Sequence, residues 1–277
     1  MTIDVWLQHP THRFLAADMF ASLLRWTGGR VPADDPPIEA TIESMDAAGV
    51  DVGLLTAWQG PYGQDFISND LVAGWVRQYP DRFAGLAAVN LDRPMEAVRE
   101  LRRRVRDDGF IGVRLLPWLW NAAPTDCRYY PIYAECIELG VPFCTQVGHT
   151  GPLRPSETGR PIPYIDQVAV DFPELTIVCG HIGYPWTEEM IAVARKHENV
   201  YIDTSAYTTR RLPAELVAFM KTNTGARKVL FGSNFPMIGH SHCLDGLDEL
   251  GLSESTLADY LAGNARRVFT KLEGRVA

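Results

Sequence analysis

The sequence predicts an α/β fold, a closed TIM (β/α)8 barrel. Eight short runs of apolar residues alternate with helical segments along the 277-residue chain. The runs stay apolar at successive positions, as strands do when they are buried between a barrel interior and a helical shell. No Gly-x-Gly-x-x-Gly follows the first run, which disfavours an open sheet that binds a dinucleotide. Repeated strand–helix units of this number favour the barrel.

The strands are predicted from runs rich in valine, isoleucine, leucine and phenylalanine. They are Ile3–Leu7, Val52–Thr56, Phe83–Val89, Gly112–Leu116, Pro142–Thr145, Leu175–Cys179, Val200–Ile202 and Val229–Phe231. Because all strands of such a barrel run in parallel, we expect their carboxyl ends to share one rim.

Helices are predicted between these strands from their capping residues and charges. Asn69 can cap the helix that follows it, and Pro94 lies in the first turn of a segment whose last turns carry four arginines. The predicted helices are Asp70–Gln78, Pro94–Asp107, Pro131–Glu138, Tyr164–Asp171, Thr187–His197, Pro213–Lys221 and Glu254–Leu261.

We predict a single domain over residues 1–277, with an insertion at about residues 13–37 after the first strand. The insertion carries the apolar residues Phe14, Phe20, Leu23 and Trp26. We expect it to contain a helix that packs on the barrel. A lid or an oligomer contact is the alternative.

The composition argues against several classes of protein. A net charge of −8 disfavours nucleic acid as a partner, because phosphate binding needs a basic surface. Five cysteines without a C-x-x-C pair predict free thiols in a reducing cytoplasm. No apolar run approaches the roughly 20 residues that span a membrane, and the first residues do not resemble a signal peptide. We therefore expect a cytoplasmic protein that acts on a small molecule, as a monomer or a homo-oligomer.

Polar or aromatic side chains lie at the end of nearly every predicted strand. In a TIM barrel, chemistry takes place at the carboxyl ends of the strands. In chain order these ends carry Trp6, Gln8 and His9; Thr56 and Trp58; Asn90; Arg114; Gln146 and His149; His181; Asp203 and Ser205; and Asn234. Because chance placement would leave several ends aliphatic, the pattern predicts an active site at this rim.

Two ionisable residues stand out among these ends. His181 follows the sixth predicted strand and titrates near neutral pH, so we expect it to transfer protons. A buried histidine bonded to backbone is the alternative. Arg114 points inward if its apolar neighbours face the helices, and a buried cation needs a partner. That partner is either a substrate carboxylate or a structural carboxylate such as Asp4 or Asp203.

Further residues are predicted to line the site. Gln146 ends the fifth strand, and His149 follows among small turn-forming residues, where we expect it to be accessible. Trp118 is expected to form an aromatic wall suited to a planar substrate, although core packing explains tryptophans equally well. His240 and His242 form an H-x-H pair in the loop after the last strand. We expect a solvated pair there, because no third ligand follows at fixed spacing.

Several motifs together resemble the amidohydrolase-2 family of TIM-barrel enzymes. They are the segments 3–10, 171–183, 200–205 and 229–236, so the resemblance covers nearly the whole chain. Family members usually carry His-x-His after the first strand, His-x-Gly after the sixth and Gly-Ser-Asp-x-Pro after the eighth. Here Trp6 and Gln8 replace the first pair, Asn234 replaces the aspartate, and His181 keeps its place.

The resemblance implies an enzyme but leaves its chemistry open. The family includes metal-dependent hydrolases, non-oxidative decarboxylases of aromatic or unsaturated acids, and lactone hydrolases that work without metal. In the family the histidine that matches His181 binds metal or transfers a proton. Asn234 cannot accept a proton at neutral pH and is a poor ligand for a divalent cation, but it can bind a carbonyl or an oxyanion.

We expect a hydrolase that acts without a cofactor on a small cyclic or aromatic carboxylate, such as a lactone or an amide. Binding of a divalent metal such as zinc at a position other than the family's is an alternative. The predicted catalytic residues are His181, Asn234 and His149, and the predicted substrate-binding residues are Trp6, Gln8, His9, Arg114, Gln146 and Trp118. A decarboxylase of the same family and a non-catalytic ligand-binding barrel are the alternatives.

Overall fold

Eight parallel strands form the barrel in the computed structural model, which describes residues 1–272. The strands are β1 (Ile3–Leu7), β2 (Val52–Thr56), β3 (Phe83–Ala87), β4 (Gly112–Leu115), β5 (Phe143–Gln146), β6 (Ile177–Gly180), β7 (Val200–Asp203) and β8 (Val229–Leu230). Each strand pairs in parallel with the next one along the chain. The predicted TIM barrel is therefore confirmed. Residues 273–277, which belong to the predicted domain, lie outside the described residues.

Single hydrogen bonds complete the barrel between β8 and β1. The Val5 N–H donates to the Phe231 carbonyl at 3.0 Å, and the Asn234 N–H donates to the Trp6 carbonyl at 2.8 Å. A short parallel bridge also joins Leu7 to Phe235. These contacts place the segment that follows β8 directly beside the end of β1, and they bring Asn234 next to Trp6.

The predicted strands match the observed ones to within two residues at each end. The largest differences are the end of β3 at Ala87 and the start of β6 at Ile177. Beyond β3, the Ala88 N–H donates to the Asn69 side chain at 3.0 Å and therefore does not pair with a neighbouring strand. Before β6, the Leu175 N–H closes a turn onto the Phe172 carbonyl.

Helices surround the barrel, and a two-stranded antiparallel ribbon (Trp58–Gln59 with Asp65–Ile67) follows β2. The helices are α1 (His12–Leu15), α2 (Ala21–Thr27), α3 (Glu39–Asp46), α4 (Asn69–Gln78), α5 (Pro94–Arg106), α6 (Pro117–Trp120), α7 (Tyr130–Leu139), α8 (Asp166–Asp171), α9 (Thr187–Lys196), α10 (Ala214–Met220), α11 (His240–Leu244), α12 (Glu254–Ala258) and α13 (Asn264–Val268). The predicted cap of α4 was one residue late. Ser68 caps this helix by accepting the Leu71 N–H, while Asn69 binds Ala88.

The insertion at residues 13–37 forms α1, a 3₁₀ turn over Asp18–Phe20, and α2. The Ser22 hydroxyl donates to the Gly151 carbonyl at 2.6 Å, and the Leu153 N–H donates to the Met19 carbonyl at 2.9 Å. The insertion therefore packs against the loop after β5, at the carboxyl rim of the barrel.

Two other features bear on the expectations from composition. All five cysteines are free thiols, as predicted. Within residues 1–272, none of the helices has both the length and the apolar character to cross a membrane.

Candidate active site

Two neighbouring cavities at the carboxyl rim of the barrel share five lining residues. The outer cavity has a volume of about 730 Å³, and the inner recess has a volume of about 20 Å³. The side chains that line both are Leu23, Pro152, His181, Asn234 and Met237. A volume near 20 Å³ admits about one water-sized group. The body of a ligand therefore fits the outer cavity, and a single small group, such as one oxygen, fits the recess.

Most of the residues predicted from the sequence meet at these cavities. Those that line the inner recess are Trp6, Gln8, Trp118, Gln146, His181 and Asn234. His149 lines the outer cavity. Arg114 borders a separate void of about 10 Å³, and His9 lies within the fold. The rim pattern therefore predicted side chains that meet at these cavities, but it did not separate lining residues from supporting ones.

His181 lies where the inner recess meets the outer cavity. Its backbone N–H donates to the Ser205 Oγ at 3.2 Å, and its Nδ1 lies 2.7 Å from the same oxygen. Its ring meets the Trp6 ring edge-on, with centroids 5.0 Å apart. Because Ser205 occupies Nδ1, Nε2 is the ring nitrogen left for a ligand. Burial lowers the pKa of His181 to about 3, and the nearby Arg114 cation acts in the same direction, so the imidazole is neutral at pH 7.

Asp203 holds Ser205 in position on the side away from His181. The Ser205 N–H donates to the Asp203 Oδ1 at 2.9 Å. A Cβ built on Gly180 would lie 2.5 Å from Trp6 Cζ3 and 2.9 Å from Asp203 Oδ2, so the carboxylate lies close beside the tryptophan ring. Burial raises the pKa of Asp203 to about 6, against the lowering effect of hydrogen bonds from Ser205. Asp203, Ser205 and His181 thus form a chain of polar contacts that leads from the barrel interior to the cavity.

Arg114 lies inside the barrel, against the Trp6 ring and the Gln8 side chain. Its Cζ lies 4.1 Å from the centroid of the Trp6 ring. Its Nη2 donates to the Leu7 carbonyl at 3.3 Å and to the Gln8 Oε1 at 3.1 Å, while Nη1 has no partner among the described residues. The guanidinium lies behind Trp6 and Gln8 and lines neither cavity, and its predicted binding of a substrate carboxylate stays a prediction.

The predicted structural salt bridge from Arg114 is absent among the described residues. Asp203 and Asp4 act on it only at longer range. Burial lowers the pKa of Arg114 to about 9, which still leaves the side chain charged at neutral pH. The barrel interior therefore holds a cation stabilised by an aromatic face and two neutral oxygens.

Arg114→Met is expected to keep or raise the free energy of unfolding, because replacing a buried, unpaired charge by an apolar side chain removes a desolvation cost. Arg104 is the matched control. It is 4% exposed against 3% for Arg114, but it pairs with Glu100, Asp70 and Asp108. Arg104→Met is expected to lower the free energy of unfolding by about 2 kcal/mol, because it removes three charge-assisted hydrogen bonds of a buried guanidinium. Urea denaturation of both variants measures the contrast. A larger loss for Arg114→Met would contradict this account.

The Gln8 side chain contacts both Asn234 and Arg114. The Gln8 Nε2 donates to the Phe235 carbonyl at 2.6 Å and lies 3.4 Å from the Asn234 Oδ1. Arg114 binds the Gln8 Oε1 and so fixes which end of that amide is oxygen. The Asn234 oxygen then faces Gln8, and its NH₂ group remains as a donor for a ligand. Asn234 has a left-handed backbone, with φ 68°, which asparagine adopts more readily than most residues.

Gln146, Trp118 and His149 form the opposite wall. The Trp118 Nε1 donates to the Gln146 Oε1 at 2.7 Å, and the Gln146 Nε2 donates to the His149 carbonyl at 3.2 Å. The His149 ring stacks on Trp26 of the insertion, with centroids 6.4 Å apart. Trp118 therefore orients Gln146, and His149 lines the outer cavity.

His9 is a correction to the predicted substrate-binding set. Its Nδ1 lies 2.8 Å from the Thr41 Oγ1 and its Nε2 lies 2.8 Å from the Pro36 carbonyl. Burial lowers the pKa of His9. Both ring nitrogens are used within the fold, so His9 anchors the segment before α3 and has no nitrogen left for a substrate.

The H-x-H pair after β8 is divided between two environments, contrary to the expected solvated pair. His240 is fully buried, with Nδ1 2.9 Å from the Ser44 Oγ and Nε2 3.3 Å from the Asp4 Oδ2. His242 lines the outer cavity.

The apolar residues Leu23 and Met237, which line both cavities, were also missed as site residues. The only sequence feature that could have indicated these two residues was their position near the predicted rim.

The donor set at the family's metal position does not fit a divalent metal. Residues 1–272 contain no group of three or more histidine, cysteine, aspartate or glutamate side chains placed to hold one. An indole stands at Trp6, neutral amides stand at Gln8 and Asn234, and the Arg114 cation lies directly beside them. Zinc sites normally use three or four nitrogen, sulfur or carboxylate ligands.

Comparison with known proteins identifies the family. Residues 17–271 match the Amidohydrolase family Amidohydro_2, which spans most of the 277 residues. The chain belongs to the amidohydrolase-2 family.

Characterised relatives of this family member carry out more than one reaction. A gamma-resorcylate decarboxylase from Polaromonas sp. is 25% identical over 253 residues, covering 73% of this chain and 74% of the relative. A 2-keto-4-carboxy-3-hexenedioate hydratase from Sphingobium sp. is 28% identical over 251 residues, covering 75% of this chain and 72% of the relative. The solved structure of an uncharacterized TIM-barrel protein from Bordetella bronchiseptica is 27% identical, with a TM-score of 0.83 over 98% of both chains.

Proposed function

We propose that this amidohydrolase-2 protein is a metal-independent hydrolase of a small cyclic or aromatic carboxylate, such as a lactone or an amide. The observation that carries the proposal is the position of His181 and Asn234 at the junction of the recess and the outer cavity. A carbonyl placed there would put its oxygen in the recess and its ring in the outer cavity. Water would then approach the carbon from the outer cavity, beside His181.

The proposed reaction needs a base and a stabilised oxyanion. The His181 Nε2 takes a proton from the attacking water as the new carbon–oxygen bond forms, and Nδ1 stays bonded to Ser205. The Asn234 NH₂ group donates to the carbonyl oxygen as it gains charge. The bond to the leaving oxygen or nitrogen then breaks, and that atom takes the proton back from His181.

The low pKa of His181, about 3, makes the free imidazole a weak base. A negative charge bound beside the ring favours its protonated form and so raises this pKa. An anionic substrate, or the oxyanion that forms in the reaction, would therefore strengthen the base when it is needed. This requirement supports carboxylate substrates over neutral ones.

Decarboxylation is the second candidate, and the relationship to gamma-resorcylate decarboxylases favours it. A panel of lactones, cyclic amides and hydroxybenzoates, assayed in ¹⁸O-labelled water, separates the two reactions. Hydrolysis places ¹⁸O in the product acid, whereas decarboxylation releases carbon dioxide and puts a solvent proton on carbon. Turnover of hydroxybenzoates alone, with carbon dioxide release, would reject the hydrolase.

Removing divalent metals is expected to leave activity within about twofold of its original value, because the residues present supply too few ligands for a metal. The measurement is turnover before and after dialysis against EDTA, together with elemental analysis of the purified protein. One tightly bound metal per chain, whose removal abolishes turnover and whose return restores it, would overturn the metal-independent mechanism.

A further inference from the structure

The segment that follows β7 places two adjacent arginines in different surroundings. Arg210 forms ion pairs with Asp245 and Glu249, so it fastens this segment to the chain beyond α11. Arg211 lines the outer cavity, and its side chain has no ion pair or hydrogen bond among residues 1–272. Both side chains are exposed, but only one is paired. The structure therefore leaves one guanidinium free at the wall of the outer cavity.

Thr208, in the same segment, adds an unused hydroxyl to this wall. It lines the outer cavity and is 6% exposed. Its hydroxyl does not cap the 3₁₀ turn Thr209–Arg211 and has no other partner among the described residues, yet the oxygen is not sealed within the fold. The Arg211 N–H donates to the Thr208 carbonyl at 2.8 Å, which keeps the two residues in one turn. A hydroxyl donor and a guanidinium are thus available side by side.

The lining of the outer cavity offers Arg211 no carboxylate partner. The chain is acidic, with a net charge of −8, yet none of the aspartates and glutamates within residues 1–272 lines this cavity. Its ionisable side chains besides Arg211 and tyrosines are His149, His181 and His242. The buried Asp203 carboxylate lies behind Ser205 and does not line the cavity. A bound anion would supply the missing partner.

We propose that Arg211 and Thr208 bind the carboxylate of the substrate in the outer cavity. The two parallel N–H groups of the guanidinium hold both carboxylate oxygens, and the Thr208 hydroxyl donates to one of them. Neither residue lines the inner recess. The substrate is therefore a cyclic ester or amide whose carboxylate lies away from the carbonyl at His181. Its identity as the substrate rests on the proposed hydrolase, whereas the binding of a carboxylate does not.

Calorimetric titration of the full chain with benzoate tests the site, and benzamide is the uncharged probe of similar shape. Arg211→Met is expected to raise the benzoate Kd by about tenfold or more, because it removes charge-assisted hydrogen bonds. The same variant is expected to leave the benzamide Kd within about twofold, because a neutral amide gains little from a nearby cation.

Two further variants separate the guanidinium from general charge. Arg210→Met is the matched control, since it removes an equal charge from the neighbouring residue, and we expect a benzoate Kd within about twofold of wild type because that charge is balanced by its own partners. Arg211→Lys keeps the charge but loses the planar fork, so we expect it to recover only part of the affinity. Circular dichroism checks that each variant is folded.

The site and the hydrolase fail in different ways. The carboxylate site would be overturned if benzoate does not saturate the wild-type protein, or if Arg211→Met leaves the benzoate Kd unchanged. Equal losses of benzoate and benzamide in Arg211→Met, or equal losses of benzoate in both methionine variants, would also overturn it. Benzoate binding that depends on Arg211, without hydrolysis of any lactone or amide, would reject the hydrolase and leave the carboxylate site intact.

Discussion

Replacing His181 by asparagine is expected to lower kcat by about a hundredfold or more, the usual worth of a positioned proton-transfer group. His181 has its Nδ1 held by Ser205 and its Nε2 free for the cavity. Asparagine fits the left-handed backbone at this position, φ 72°, so the change tests chemistry more than folding. The measurement is steady-state turnover of the best substrate from the panel.

The matched control is His197→Asn, which removes a histidine bonded to Asp166 outside both cavities. We expect near-wild-type kcat for it. Ser205→Ala is expected to fall between the two, because it frees the His181 ring to rotate without removing it. Near-wild-type turnover by His181→Asn would show that another group carries the proton, and His149 and His242 of the outer cavity would be the next to test.

Acidification from pH 7.5 to pH 4.5 is expected to lower the free energy of unfolding by about 3 kcal/mol more in wild type than in His181→Asn. His181 has a folded-state pKa of about 3, against 6.5 for a free histidine. A histidine whose pKa is lowered on folding contributes its full stability above pH 6.5. That stability is lost as the pH falls toward 3, because the unfolded chain binds the proton first.

Asp203 is expected to give an effect of the opposite sign. Its folded-state pKa of about 6 lies above the ordinary value of 3.8, so its contribution is fully present below pH 3.8 and is lost as the pH rises through 6. Urea denaturation of wild type, His181→Asn and Asp203→Asn at pH 7.5 and 4.5 measures both contributions. Equal acid sensitivity of wild type and His181→Asn would show that the imidazole is not buried in its neutral form.

The fold could be predicted because each strand is marked by its own local sequence. Runs such as Val52–Thr56 are apolar on both faces, and only a barrel or a doubly wound sheet buries both faces of parallel strands. The errors lie at element ends, where long-range contacts decide. Asn69 was predicted as a helix cap, but it pairs with Ala88 from the end of β3, and no local pattern predicts that contact.

The site was predicted as a set of rim positions, and its internal roles depend on side-chain contacts across the barrel. Arg114 and Gln8 are 106 positions apart, yet their hydrogen bond decides that Arg114 is a supporting residue. His9 and His181 look alike in the sequence, since both follow a strand. Only the partners of their ring nitrogens, Thr41 and Pro36 for His9 and Ser205 for His181, separate an anchor from a cavity residue.

The packing around Trp6 opposes its replacement by a metal ligand such as histidine. A Cβ at residue 180 would lie 2.5 Å from Trp6 Cζ3, and a Cβ at residue 232 would lie 3.1 Å from Trp6 Cβ. The indole thus fills space that Gly180 leaves open, and the Arg114 guanidinium lies against its face. A first step of Trp6→His would open a gap beside Gly180 and uncover the Arg114 cation, which repels a metal ion. Substitution of Trp6 therefore loses packing before the site gains a ligand, so Trp6→His alone is not expected to create a metal site.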